Sequence, residues 1–285
     1  MAFVLKKRPE KKKISKPIKD KMKATDTEIL LPTVKSLPSE NLGAYSMLLY
    51  GEKKIGKTSM ASMFPEALFC MFEPGGKALS IYQIPIKRWE DFLSVLRLLK
   101  KDKKFKTIII DPVDIAYVLC LQYVCKRLGI EHPSDEEWGK GWQAVREEFT
   151  MRFNDLLELD KGVILISHAA DKEIKTRLGK SYHKVMATMP GQAREALEGI
   201  VDIWVYYCYQ GRKRTIILGG DDHIGAGHRL KGKFKYSNGE SITEIPAGNS
   251  EEEAYRNFID GFHNRLSKKE VNVEKKKLIL KKGGK

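Results

Sequence analysis

Short apolar runs and amphipathic stretches alternate along the first two thirds of the chain. The apolar runs cover residues 44–50, 67–72, 107–110 and 163–166, and the helical patterns between them cover 89–99, 113–128 and 142–159. Strands that alternate with helices are typical of a parallel sheet with helices packed against it. The pattern therefore predicts an α/β fold with a mostly parallel central sheet.

The pattern changes after Gly199. Two apolar runs, 200–209 and 215–218, flank Gln210-Gly211, and this spacing predicts an antiparallel hairpin at one edge of the sheet. Further on, Ser250 and Glu253 have the spacing of a capping box, and apolar residues follow on one helical face. A last amphipathic helix is expected to pack on the domain.

The charge of the chain is concentrated at its two ends. The formal net charge is +15, of which residues 1–23 contribute +8 and residues 264–285 contribute +7, so the body between them is neutral. Lys-rich tails attract polyanions without sequence preference, although they also serve simply to keep a protein in solution. Charge and pattern together predict a basic N-terminal arm and linker (1–42), a core (43–245), a C-terminal helix (246–267) and a basic tail (268–285).

Some classes of protein are disfavoured. The apolar runs are much shorter than the roughly 20 residues that span a bilayer, and the start is too short and too basic for a signal peptide. The four cysteines form no CxxC pair, which favours buried, reduced thiols. We expect a cytoplasmic protein without a membrane partner.

One segment matches a phosphate-binding loop at every fixed position. Residues 51–58, GEKKIGKT, fit GxxxxGK[ST], with an apolar run before them and a helical stretch ending at Pro65 after them. In such loops backbone N–H groups surround phosphate oxygens, the lysine reaches the β and γ phosphates and the hydroxyl binds Mg²⁺. The predicted ATP-binding residues are Gly51, Glu52, Lys53, Lys54, Ile55, Gly56, Lys57, Thr58, Ser59 and Asp111.

Three more polar residues stand where other predicted strands end. Asp111 is the expected second Mg²⁺-side ligand beside Thr58, a role compatible with capping the helix that follows. Glu73 would activate the attacking water, or else cap a turn. His168 would contact the γ-phosphate, or else be an ordinary hydrogen-bonding residue. Glu73, Lys57 and His168 form the predicted catalytic set.

These motifs, in this order, resemble the RecA-like P-loop ATPases. Within that group the chain is most similar to the phage ATP-binding proteins of the Sak type that promote single-strand annealing; the segments Trp138–Trp142 and Gly199–Asp202 add to the likeness, which covers about residues 43–235. The resemblance implies a RecA-like P-loop NTPase core and assigns the catalytic base to Glu73. The early Pro65 and the two basic tails depart from the shared pattern.

RecA-like proteins hold DNA on segments that follow the central strands, so residues 169–198 are the expected DNA-binding loop. Cations around an aromatic residue suit single-stranded DNA, although an ordinary solvated loop has the same composition. The candidates are Lys172, Lys175, Arg177, Lys180, Tyr182 and Lys184. The segment Trp138–Trp142 is either a stacking loop or part of the core. One of four residues could act as an arginine finger on the γ-phosphate of a neighbouring subunit: Arg212, Lys213, Arg214 or Arg229.

The leading hypothesis is an ATP-hydrolysing, oligomeric DNA-recombination protein that binds single strands and helps them to anneal or exchange. Its expected cofactors are ATP and Mg²⁺. Its expected partners are single-stranded DNA, further copies of the chain and a single-strand binding protein, in the cytoplasm of a phage host. One alternative is a DNA-binding module in which ATP is a structural ligand, and another is a helicase loader or partner-remodelling ATPase.

Overall fold

The computed structural model describes residues 31–177 and 179–268. The chain divides into a unit of residues 1–37 and a unit of residues 38–285. The described residues of the first unit, 31–37, contain no helix or strand. The Lys-rich stretches at 1–23 and 269–285 lie outside the described residues.

The second unit alternates strands and helices. The strands are β1 Ser46–Gly51, β2 Ala67–Met71, β3 Tyr82–Pro85, β4 Thr107–Asp111, β5 Gly162–Lys175, β6 Ser181–Ala187, β7 Ile203–Gln210, β8 Lys213–Ile217, β9 Gly227–His228 and β10 Glu244–Gly248. The helices are α1 Lys57–Ala61, α2 Trp89–Leu99, α3 Val113–Leu128, α4 Lys140–Leu157, α5 Gly191–Ile200 and α6 Glu251–Phe262. Short 3₁₀ turns lie at Leu42–Ala44, Pro133–Asp135 and Glu137–Gly139.

The central sheet has the strand order β10-β8-β7-β1-β5-β4-β2-β3. The run from β7 to β3 is parallel, whereas β8 pairs antiparallel with β7 and β10 pairs antiparallel with β8. Strands β1, β2 and β4 therefore bring their carboxyl ends to one edge of the sheet, which β5 crosses at His168, and ligands of open α/β sheets bind at such an edge. We call this the nucleotide edge.

Helices cover both faces of the sheet. One core layer packs the sheet against α2, α3, α4 and α5, through large side chains such as Trp89, Tyr117 and Phe149. The other packs it against α1 and α6, through Met60, Phe258 and others. Nearly all side chains of β1, β2 and β4 are buried, because parallel strands covered on both faces are apolar throughout.

The predicted α/β class, the mostly parallel sheet and the antiparallel hairpin are confirmed. Helices α2 and α3 have the predicted bounds, and β10 extends the sheet by one strand beyond the hairpin. The capping box is half formed: Ser250 accepts the N–H of Glu253, whereas the Glu253 carboxylate accepts the N–H of Asn249.

The prediction of a loop over residues 169–198 is wrong. Strand β5 continues past the sheet and pairs with β6 from Ala169↔Ala187 to Lys175↔Ser181, and α5 follows. We call the pair formed by residues 169–175 and 181–187 the ribbon. Half-buried and exposed side chains alternate along it with the period of two that is typical of strands. Charged residues occupy both faces, so the sequence does not show this period as an alternation of apolar and polar residues.

Candidate functional site: a phosphate-binding loop at the sheet edge

The glycines of the loop are required by its geometry. Gly51 ends β1 beside Tyr207 of β7, and a Cβ at position 51 would lie 2.1 Å from the Tyr207 carbonyl oxygen. Gly56 precedes α1 with φ 107°, a left-handed conformation that disfavours side chains. These two positions let the loop turn tightly between β1 and α1.

Lys57 is buried at the start of α1. Its Nζ donates to the carbonyl oxygens of Gly51 and Glu52, at 2.9 and 2.7 Å, and the residue is 5% exposed. Burial lowers the pKa of Lys57 from its ordinary 10.5 to about 8, against the opposing pull of nearby carboxylates such as Asp111. The amine is thus held by loop carbonyls inside the curve of the loop.

Thr58 and Asp111 come together although 53 residues separate them. The Thr58 hydroxyl donates to Oδ2 of Asp111 at 2.7 Å, and Asp111 is 6% exposed at the end of β4. Burial raises the pKa of Asp111, and the hydrogen bond from Thr58 opposes that rise. A hydroxyl beside a carboxylate at the end of a phosphate loop fits Mg²⁺, which prefers oxygen ligands and keeps several waters.

Glu73 and His168 also face each other at the nucleotide edge. His168 stands opposite Gly51 in the β1–β5 register, and its Nε2 lies 3.8 Å from Oε1 of Glu73. Glu73 follows β2 and is solvent-accessible, as a residue that handles water must be. The structure therefore brings the three predicted catalytic residues, Lys57, Glu73 and His168, to one edge.

A half-buried carboxylate that the sequence did not reveal lies behind them. Asp114, in the first turn of α3, accepts the hydroxyls of Ser167 and Thr188 through Oδ1. The backbone N–H of Thr188 donates to the carbonyl oxygen of His168 at 2.9 Å. Thr188 directly follows the ribbon, so the ribbon base is tied to both the His168 strand and the helix that follows Asp111.

The structure separates the predicted DNA-binding residues into three groups. Lys172, Tyr182 and Lys184 share one face of the ribbon with Ile174, whereas Lys175 lies on the opposite face. Arg177 and Lys180 lie in the turn between the two strands.

Two other sequence candidates lie elsewhere. Arg229 binds Asp202 through Nε at 2.9 Å, next to the amino end of β7 and away from its own nucleotide edge, and its role as a finger for a neighbouring subunit stays a prediction. Trp138 is 92% exposed with φ 62°, and Trp142 is half-buried with its Nε1 donating to Ser134. Neither tryptophan belongs to the main core.

The chain resembles known proteins over most of this region. Residues 44–230, about two thirds of the chain, match the model of a family described as AAA domain. The SPbeta prophage-derived uncharacterized protein YorG of Bacillus subtilis strain 168 is 31% identical over 164 residues, 55% of this chain and 49% of that protein. The chain thus spans about half the length of this curated relative.

Among solved structures, the KaiC-like protein PH0186 from Pyrococcus horikoshii OT3 aligns over 72% of this chain and 85% of that chain, with 16% identity and a TM-score of 0.40. In the described ranges, no helix is both long and apolar enough to cross a bilayer.

The family model covers the loop, the strand-end carboxylates and the ribbon. The chain therefore belongs to the AAA-domain family, and residues 44–230 are a P-loop ATPase-type domain with an α/β fold.

Proposed function

We propose that this protein hydrolyses ATP at the Gly51–Thr58 loop and couples it to the binding of single-stranded DNA on the ribbon, in DNA recombination or annealing. The observation that carries the proposal is the path of β5. Strand β5 pairs with β1 along the sheet, passes His168 at the nucleotide edge and continues without interruption into the ribbon.

The residues at the edge suit hydrolysis. The loop backbone and Lys57 hold the phosphates, and Glu73 takes a proton from the attacking water. His168, 3.8 Å from Glu73, orients that carboxylate and contacts the terminal phosphate. Mg²⁺, held by Thr58 and Asp111, supplies charge neutralisation when bound.

One face of the ribbon suits a nucleic-acid strand. Lys172 and Lys184 stand directly opposite each other, an arrangement that costs stability unless an anion lies between them. Burial lowers the pKa of Lys172 most, and the nearby Arg194 guanidinium lowers it further against the opposing effect of Asp114, so Arg194 adds a third cation near this face. Tyr182 offers a ring on the same face for a base to stack on.

The opposite face differs in charge. It carries the acids Asp171 and Glu173 beside Lys175 and His183, and Asp171 lies 3.2 Å from His183. A polyanion would meet repulsion there. We therefore place the DNA on the half-buried face of Lys172, Tyr182 and Lys184.

The base of the ribbon offers a route for coupling. Thr188 contacts the His168 carbonyl and the Asp114 carboxylate, and Asp114 lies three residues after Asp111. A shift of β5 or α3 on loss of the terminal phosphate would therefore move the ribbon. The prophage origin of the relative YorG and the resemblance to annealing ATPases agree with this role.

The test is ATP turnover with and without single-stranded DNA. We expect DNA to stimulate turnover in the wild type. Tyr182→Ala should lose the stimulation and keep the basal rate, because it removes only the stacking ring. His183→Ala, the next residue on the other face, is the matched control and should behave as the wild type. Basal turnover that no DNA changes would contradict the coupling.

A further inference from the structure

A guanidinium lies against the phosphate loop on the flank away from Asp111. Arg214, in β8, has its Nη1 only 3.2 Å from the position that a Cβ on Gly56 would occupy. Its Nε donates to the carbonyl oxygen of Gly248 in β10, at 3.3 Å. The side chain is therefore anchored by the antiparallel strands and directed at the backbone of its own loop.

Arg214 has capacity left for a ligand. A guanidinium has five N–H donors and no acceptor. Among the described residues, no ion pair joins Arg214 to a carboxylate. The carboxylates of the site, Asp111, Asp114 and Glu73, act instead on the buried amine of Lys57. They oppose the larger effect of burial, which lowers the pKa of that amine. The loop thus has, on the β8 flank, a cation whose neighbours among the described residues are the neutral Gly248 carbonyl and Tyr207 side chain.

We infer that Arg214 binds the α and β phosphates of the nucleotide held by its own subunit. In phosphate loops the backbone before the lysine cradles these phosphates, whereas the lysine and the following hydroxyl reach the β and γ phosphates. A cation beside Gly56 is therefore next to the α and β positions. The inference rests on nucleotide binding and is independent of the DNA proposal.

The first test compares ATP and ADP affinity in Arg214→Gln. Loss of a charge-assisted contact to the α and β phosphates should weaken both nucleotides about tenfold to hundredfold. Arg146→Gln removes the same charge from the exposed side of α4, on the sheet face opposite α1, and should change neither affinity more than about twofold. Unchanged ADP affinity with slow turnover would mark Arg214 as a γ-phosphate finger and overturn the inference.

The second test asks which subunit Arg214 serves. Arg214→Gln protein, which keeps Lys57, is mixed with Lys57→Ala protein, which keeps Arg214. A residue acting within its own subunit predicts no recovery of turnover, whereas recovery would show action on a neighbour. Should Arg214→Gln not fold, Arg214→Lys keeps a charge without the fork geometry and should weaken ADP binding about three- to tenfold. Wild-type ADP affinity in Arg214→Lys would contradict the assignment.

Discussion

Lys57 is a buried amine whose charge depends on pH in the physiological range. Burial depresses its pKa to about 8, so the folded protein without nucleotide binds fewer protons than the unfolded chain between about pH 8 and 10.5. A bound polyphosphate favours the charged form. ATP affinity should therefore fall as the pH rises through about 8, and binding at pH 8 should take up protons.

Calorimetric titrations at pH 8, in buffers of different ionisation enthalpy, measure that proton uptake directly. At pH 6.5 the amine is already charged, and the uptake attributed to Lys57 should vanish. ATP binding at pH 8 that is independent of the buffer would show that Lys57 is already fully charged in the free loop.

Glu73 is the residue on which turnover is expected to depend most. Glu73→Gln keeps the shape of the side chain and removes the base, so nucleotide affinity should persist while turnover falls about a hundredfold or more. Glu66→Gln, at the opposite end of β2, is the control and should keep both. Loss of nucleotide binding in Glu73→Gln would indicate a structural role for the carboxylate.

At the residue scale, the sequence predicted the functional side chains that lie within one local motif or at the end of one apolar run. Gly51, Lys57 and Thr58 lie within one motif, and Asp111 ends an unmistakable apolar run. Thr188 and Arg214 were not assigned a partner, because their contacts to Asp114 and Gly56 arise from strand pairing and crossovers. No local pattern encodes such contacts.

At the scale of elements, the joint between ribbon and sheet depends on Thr188. Thr188→Val removes the hydroxyl that Asp114 accepts and leaves a half-buried carboxylate less satisfied, at a cost of about 1 to 3 kcal/mol. ATP and DNA should each still bind, but DNA affinity should lose its dependence on ATP. Thr176→Val makes the same change at the far end of the ribbon and should preserve the dependence. If the DNA affinity of Thr188→Val still depended on ATP, this joint would not be part of the coupling route.

Helix α4 is fixed to α2 and α3 through one buried carboxylate. Glu148 accepts hydrogen bonds from Trp89, Arg127 and Arg152. Glu148→Ala leaves the buried Trp89 Nε1 without its acceptor, whereas the two arginines are partly exposed and Arg152 keeps Asp155, so the free energy of unfolding should fall by about 1 to 3 kcal/mol. Urea denaturation measures the loss, and Glu147→Ala, one position along on the exposed side, should cost less than about 0.5 kcal/mol. Equal effects of the two substitutions would contradict this.

The predicted elements differ in how far the sequence revealed them. Helix α2 has a clear amphipathic period and α3 is a long, mostly apolar stretch, and both contain buried aromatic residues, so their bounds were predicted correctly. Strands β3 and β10 are short and lie at the sheet edges, where side chains are partly exposed. The ribbon projects from the sheet, and without a fully buried face its alternation resembles a charged loop.

At the scale of the molecule, a neutral core carries the nucleotide loop and the ribbon, whereas the excess positive charge lies near the chain ends. The proposed DNA site in the described core therefore depends on a local cationic face, that of Lys172, Tyr182 and Lys184. Diffuse attraction by the basic ends would add affinity for any strand, independent of nucleotide.

The most direct test of the proposed coupling is a salt titration of single-strand affinity with ATP, with ADP and without nucleotide. Wild-type protein should bind most tightly with ATP. Lys184→Gln should weaken binding and flatten the salt slope by about 0.7, the value for one lost phosphate contact, whereas Lys175→Gln on the other face should retain both. If affinity is the same in all nucleotide states and the two variants are equivalent, the ribbon is not a nucleotide-coupled DNA site.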